Sequence, residues 1–178
     1  ENEQVVVTIY VNPTQFNDVK DLKKYPRNLE SDIDKLRHYK NIFVYSPKDK
    51  DLYQEVVSKN YDLDNLDKIL EGKFRPGHFS GVATIVEKMF DIFNPDNAYF
   101  GEKDFQQLSI IKTMVKKLGI NVNIISCETI READGLAMSS RNEYMTKGER
   151  LIAGKINKFL IKAKEIYKNE KIDKVPIS

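Results

Sequence analysis

The chain has 178 residues, 40% of them hydrophobic and 31% charged, which describes a globular α/β-sized protein with a real core. A formal net charge of +2 supplies no field for gripping nucleic acid, and a single cysteine excludes an internal disulfide framework. No apolar run is long enough to span a bilayer and no basic-then-apolar leader opens the chain, so a cytoplasmic protein without membrane contact is expected.

Residues Val5–Val11 form a continuous, mostly β-branched run, the pattern of a strand covered on both faces in a parallel sheet. The stretch from Asn12 through Pro13 to Asp18 reads as a turn-rich loop. A charged helix is expected from Asn28, with Leu29, Ile33 and Leu36 on one face. Ile42–Tyr45 reads as a second strand stopped by Ser46-Pro47. A short strand is possible around Val56-Val57, and Leu66–Leu70 reads as a short helix stopped by Gly72.

Ser80 can cap a helix whose Val82, Ile85, Val86, Met89, Phe90 and Phe93 make one apolar stripe. Ala98–Phe100 is a short strand, followed by a helix with Leu108, Ile111, Val115 and Leu118 inward and Gly119 as its stop. Val122–Ile125 is the next strand, with Cys127 a small buried residue at its end. Thr146 and Glu149 have capping-box spacing for one long amphipathic helix carrying Ile152, Ile156, Phe159 and Leu160. The charged stretches Lys48–Asp51 and Lys162–Lys174 read as solvated surface. Alternating strands and helices predict a parallel sheet flanked by helices, with ligands at the carboxyl ends of the strands.

Two segments combine anion-binding features. Gly101-Glu102-Lys103-Asp104 lies between a strand and a helix N-terminus, where free N–H groups and the dipole favour an anion and Lys103 adds a point charge. Asp104 and Gln107 also have capping-box spacing, which needs no ligand. Met138-Ser139-Ser140-Arg141 offers two hydroxyls and a guanidinium to phosphate oxygens, or is an ordinary capped loop. Neither segment matches the P-loop or the dinucleotide glycine fingerprint.

Asn12 and Gln15 are neutral amides able to grip a small polar substrate, or simply parts of a turn. Arg75-Pro76-Gly77-His78 places a cation and an imidazole before a helix, for a carboxylate, for acid–base work, or for local backbone groups. His38 reads as surface, and the spacing of two histidines and one cysteine gives no zinc site.

In this order, Val11-Asn12-Pro13-Thr14-Gln15-Phe16, Tyr25-Pro26-Arg27, Leu70-Glu71-Gly72 into Arg75-Pro76-Gly77-His78-Phe79, Gly101-Glu102-Lys103-Asp104 with Gln106-Gln107, and Arg131-Glu132-Ala133-Asp134-Gly135 through Asn142 closely resemble the pantothenate synthetase (pantoate–β-alanine ligase) family. The resemblance reaches to about Leu160. It implies a nucleotidyltransferase-like Rossmann fold and an ATP-dependent, Mg²⁺-assisted condensation of pantoate with β-alanine through a pantoyl adenylate. By motif position, Gln15 and Gln107 hold pantoate with Asn12 beside them, and Arg75 and His78 line the pantoate and β-alanine side. Gly101, Glu102, Lys103 and Asp104 bind ATP, Ile130 meets the nucleotide, and Met138, Ser139, Ser140 and Arg141 close over its phosphates. Lys103 and Arg141 carry the catalytic charge, the metal ligands are unknown, and a homodimer is expected.

The family's His-x-Gly-His motif is not found, so the Val5–Val11 strand is expected to lack its neighbour and the chain to be truncated at both ends. The expected division is a Rossmann-like ATP- and pantoate-binding domain over residues 1–128, then the ATP-closing loop and an incomplete C-terminal domain over residues 129–178. The alternatives are an inactive fragment that still binds ligand and an adenylyl-transferring relative with another acid substrate.

Overall fold

A computed structural model of the chain describes residues 3–53 and 57–170, so half of the possible Val56-Val57 strand lies outside the described residues. The chain forms two units, Glu1–Cys127 and Glu128–Ser178. In the first, β1 (Val5–Thr8) pairs in parallel with β2 (Ile42–Tyr45), and β3 (Asn97–Gly101) with β4 (Asn123–Cys127). Between β1 and β2 come α1 (Val19–Lys24) and α2 (Leu29–Leu36); α3 (Asp49–Leu52), α4 (Leu70–Phe74) and α5 (His78–Phe93) precede β3, and α6 (Phe105–Leu118) joins β3 to β4. The expected α/β class with parallel strands is present, as two separate pairs among the described strands.

One helix unites the two pairs. Phe79, Val82, Ala83 and Phe90 of α5 join Ile110, Ile111 and Met114 of α6 in a buried cluster that Ala98, Phe100 and Ile124 cover from β3 and β4. Ile85 and Met89 of the same helix pack with Tyr10, Tyr45, Leu52 and Tyr53 under the other pair. Val86 touches both clusters. An apolar surface wider than a single stripe is what a helix between two layers needs.

Several boundaries depart from the sequence pattern. β1 stops at Thr8, and its Val6 and the paired Phe43 are exposed, so one face of this pair is uncovered among the described residues. The residues 66–70 expected as one helix split into a 3-10 turn, Leu66–Lys68, and the start of α4, which runs through Gly72 instead of ending there. Gly72 lies against the backbone of Asp67, where any Cβ would overlap it, so close packing explains the glycine. Helix α5 begins at His78 after Gly77 at φ 79°, which places Ser80 inside the first turn. There Ser80 gives its carbonyl to the Thr84 hydroxyl at 2.8 Å.

Gly119 ends α6 at φ 65° as expected, yet Leu118 faces out and Met114 takes its place in the core. Strand β4 is shifted toward its carboxyl end because pairing with β3 continues to Gly101 opposite Cys127; the cysteine is half-buried rather than fully buried. The Lys48–Asp51 stretch starts α3, its entry held by Asp51 accepting from the Lys48 N–H at 2.8 Å.

In the second unit the Thr146–Glu149 capping box forms as expected. The helix it starts, α7 (Lys147–Ala153), ends at Gly154, and α8 (Ile156–Glu170) follows. Gly154 packs where a Cβ would meet the Asp134 carboxylate, which Arg150 holds in place. Ile152, Ile156, Phe159 and Leu160 are all exposed.

The side-chain register of α6 gives a direct test. Ile111→Ala should cost about 2–5 kcal/mol in urea unfolding, because its side chain is fully enclosed. Leu118→Ala should cost clearly less, about 0.5–1.5 kcal/mol, since that residue is 46% exposed.

Candidate functional site

The first loop of the site leaves the carboxyl end of β1. Asn12 is 1% exposed and caps the 3-10 turn Pro13–Gln15. Its Oδ1 accepts from the Thr14 N–H (3.3 Å), the Thr14 hydroxyl (3.0 Å) and the Tyr53 hydroxyl (3.1 Å), while its Nδ2 donates to the Gly81 carbonyl at 3.0 Å. Burial pushes the Tyr53 and Tyr10 phenols up, so both stay protonated, and Tyr10 donates to Asp49 at 2.8 Å. The turn sits directly on α5, and a Cβ at Gly81 would overlap Thr14.

Residues 75–78 fasten the far side of that turn. The Gln15 carbonyl accepts from His78 Nδ1 at 2.6 Å and Arg75 Nη2 at 3.2 Å. Arg75 is held in turn by Glu71 at 2.7 Å, and Asn17 Nδ2 donates to the Pro76 carbonyl at 2.7 Å. His78 is buried, and desolvation holds its pKa below the ordinary 6.5, opposed by the Gln15 carbonyl and helped by the Arg75 charge. Glu71 and Asp104 both favour its protonated form, which places the loop before α6 within electrostatic reach of His78. The Gln15 side-chain amide itself has no hydrogen-bond partner among the described residues.

The second loop leaves the carboxyl end of β3. Glu102–Asp104 form a 3-10 turn that leads into α6, and Gly101, Glu102, Lys103 and Asp104 are all exposed. The expected capping box is absent: Asp104 precedes α6 without capping it, because its carboxylate turns to Lys103 Nζ at 3.4 Å. The first N–H groups of α6 therefore carry no side-chain cap, which leaves the positive end of the helix open to an anion. Gly101 has an ordinary extended backbone and open space where a Cβ would stand, so the fold itself does not demand glycine there.

Two adjacent glutamines divide the work. Gln106 Nε2 donates to the Leu66 and Ile69 carbonyls at 2.7 and 2.8 Å, and its Oε1 accepts from the Glu71 N–H at 3.1 Å. Gln107, half-buried in the first turn of α6, has no side-chain partner among the described residues.

In the second unit, residues 130–138 form a hairpin. Met138 N–H donates to the Ile130 carbonyl at 3.0 Å, Arg131 bridges Ala137, and Gly135 at φ 91° completes the turn. Asp134 ties this turn to α7 through Arg150, at 3.1 Å for one of the two contacts. Ser139 then caps a 3-10 turn over Ser140–Tyr144 by accepting from the Arg141 N–H at 3.3 Å, and Asn142 Nδ2 donates to the Ala137 carbonyl at 3.0 Å. Ile130, Met138, Ser140 and Arg141 are exposed and Ser139 is half-buried. Among the described residues no group of three or more His, Cys, Asp or Glu side chains is placed to hold a metal ion.

Sequence reasoning missed Gly81, Asn17, Tyr53 and the structural use of Gln106. Only Gly81 left a signal, as a glycine inside an otherwise apolar helix.

Parallel strands under helices, with polar loops at their carboxyl ends, define an α/β protein of the nucleotidyltransferase-like kind. The sequence profile of pantoate-beta-alanine ligase matches residues 1–176, and the chain belongs to that family. It is 51% identical over 176 residues to the pantothenate synthetase of Flavobacterium psychrophilum, covering 98% of this chain and 62% of that protein. Crystallised pantothenate synthetase from Thermus thermophilus superposes with a TM-score of 0.90 at 39% identity, over 96% of this chain and 62% of that one. The Francisella tularensis pantoate-beta-alanine ligase, solved in complex with beta-gamma ATP and beta-alanine, gives a TM-score of 0.82 at 44% identity, over 90% and 62%. The chain thus spans about three fifths of the length of these relatives.

Two outcomes test this geometry. Gly81→Ala should destabilise the fold by about 1–3 kcal/mol in urea unfolding, because the new methyl must displace the Thr14 backbone. The depressed pKa of His78 makes the unfolded chain bind more protons than the folded one below pH 6.5. Its contribution to stability is therefore complete above that pH and is lost as pH falls toward the folded pKa. Unfolding midpoints should fall from pH 7 to about 5.5, where carboxylates remain mostly ionised, and the fall should be smaller in His78→Asn.

Proposed function

We propose that the protein condenses pantoate with β-alanine at the expense of ATP, through a bound pantoyl adenylate. The observation that carries this reading is a pair of amides without a protein partner among the described residues, Gln15 on the loop after β1 and Gln107 in the first turn of α6, beside the uncapped start of that helix and Lys103. Both amides reach solvent and are tied to no other described side chain or backbone group, so they are free to turn to a ligand. Neutral amides orient pantoate's hydroxyl and carboxylate groups without overstabilising its charge, so the carboxylate stays nucleophilic. Asn12, Arg75 and His78 shape the acid-binding side from behind Gln15.

A pantoate carboxylate oxygen attacks the α-phosphorus of ATP, and the bond from that phosphorus to the oxygen bridging to the β-phosphate breaks. Pyrophosphate leaves with that electron pair. The approach of two anions needs fixed positive charge, supplied by Lys103, Arg141 and the N–H groups at the start of α6. Among the described residues no cluster of His, Cys, Asp or Glu would hold Mg²⁺, so the ion would come with ATP and would add charge neutralisation when bound. Gly101 leaves room for the nucleotide to approach backbone, Glu102 and Asp104 flank it, and Ile130 offers an exposed apolar contact. Met138, Ser139, Ser140 and Arg141 cover the phosphates. The β-alanine amine then attacks the acyl carbon, a proton leaves the nitrogen, and AMP departs.

The test is pyrophosphate release that requires pantoate, followed by AMP release that requires β-alanine. Release with other acids and none with pantoate would contradict the substrate assignment. Lys103→Ala should slow adenylation by about 2–4 kcal/mol of lost transition-state stabilisation, roughly 30- to 1,000-fold. Gln15→Ala should raise the KM for pantoate far more than that for ATP.

A further inference from the structure

We infer that His78 is a positioning residue: its Nδ1–H and the Arg75 guanidinium together clamp the Gln15 carbonyl and so aim the amide that receives the acid substrate. The inference rests on the pantoate reading above.

A carbonyl oxygen only accepts, so at 2.6 Å the proton between it and His78 belongs to the ring, and Nδ1 carries it. With the ring neutral, Nε2 is left as a bare lone pair. The imidazole cannot turn away freely, because it is 7% exposed and lies against Phe79 at 4.8 Å. Arg75 supplies a second donor to the same oxygen and is itself tethered to Glu71. Two donors converging on one carbonyl fix the plane of the peptide after Gln15. Asn12 fixes the chain before it through the Gly81 carbonyl, and Asn17 beyond it through Pro76.

The Gln15 backbone is therefore held on both sides while its side chain remains uncommitted, which is the arrangement of a pre-aimed ligand group. The ring's donor nitrogen is already spent on the backbone of this turn, so the neutral imidazole has no N–H left to donate to a ligand.

The tautomer is read from long-range ¹H–¹⁵N correlation of the imidazoles in the full chain, which has only two histidines. His78 should show a protonated Nδ1 and a bare Nε2; an Nε2-protonated ring would overturn the clamp. This arm needs no turnover, so it stands even if pantoate proves not to be the substrate, whereas pantoate-independence of the unsubstituted protein would overturn only the functional reading.

In kinetics, His78→Leu should raise the KM for pantoate about tenfold, the equivalent of one lost hydrogen bond of about 1.4 kcal/mol, with the KM for ATP within about twofold. His78→Asn places an amide nitrogen near the Nδ1 position and should recover most of that loss, while His78→Gln, of similar polarity but longer reach, should not. Gln15→Ala combined with His78→Leu should be no worse than Gln15→Ala alone. An unchanged KM in His78→Leu, equal impairment in the Asn and Gln variants, or full additivity with Gln15→Ala would each overturn the inference. Should His78→Leu not fold, the Asn and Gln comparison decides.

Discussion

The site depends on one close approach, the seating of the Pro13–Gln15 turn on the first turns of α5. Gly81 makes it possible, since any side chain there would occupy the space of the Thr14 backbone. The approach brings the Asn12 side chain to the Gly81 carbonyl and the Gln15 carbonyl to His78 and Arg75, so a missing side chain sets the position of the polar groups around it. The same helix carries the core under both strand pairs through Val86. Packing of α5 and placement of the first site loop are consequently one constraint.

Polar groups around this constraint fall into two kinds. Asn12, Gln106 and the His78 donor nitrogen are spent on backbone groups far away in sequence, and they fix loops. Gln15 and Gln107 are half-buried and unspent among the described residues, and the α6 N-terminus is uncapped because Asp104 turns to Lys103. Neither amide is a buried orphan, so both reach solvent and stay available to a ligand at little cost to the fold. The proposed ligation chemistry explains why these uncommitted groups follow the carboxyl ends of β1 and β3.

Much of the fold could be read from local pattern. Ile42–Tyr45, the Gly119 stop and the Thr146–Glu149 capping box rest on residues a few positions apart, where local chemistry governs. Leu118 and Ser80 were misread because both sit at helix ends, where periodicity and capping residues allow more than one register. The need for glycine at 154 is not legible locally, because the group that a side chain there would meet is the distant Asp134 carboxylate. At the site, motif position names Gln15 and Gln107 for the acid substrate but gives Gln106 no role, because its partners lie 35–40 residues away. Nor could it show that Asn12 is saturated, with Tyr53 and Gly81 as partners 41 and 69 residues distant.

The most direct test of the account follows the side-chain amide NMR signals of the glutamines while pantoate is added to the ATP-bound protein. The account predicts saturable shifts at Gln15 and Gln107, with Gln106 unmoved because its amide is already committed to the Leu66 and Ile69 carbonyls. Shifts at Gln106 with Gln15 and Gln107 silent, or no shifts at any of the three, would contradict it.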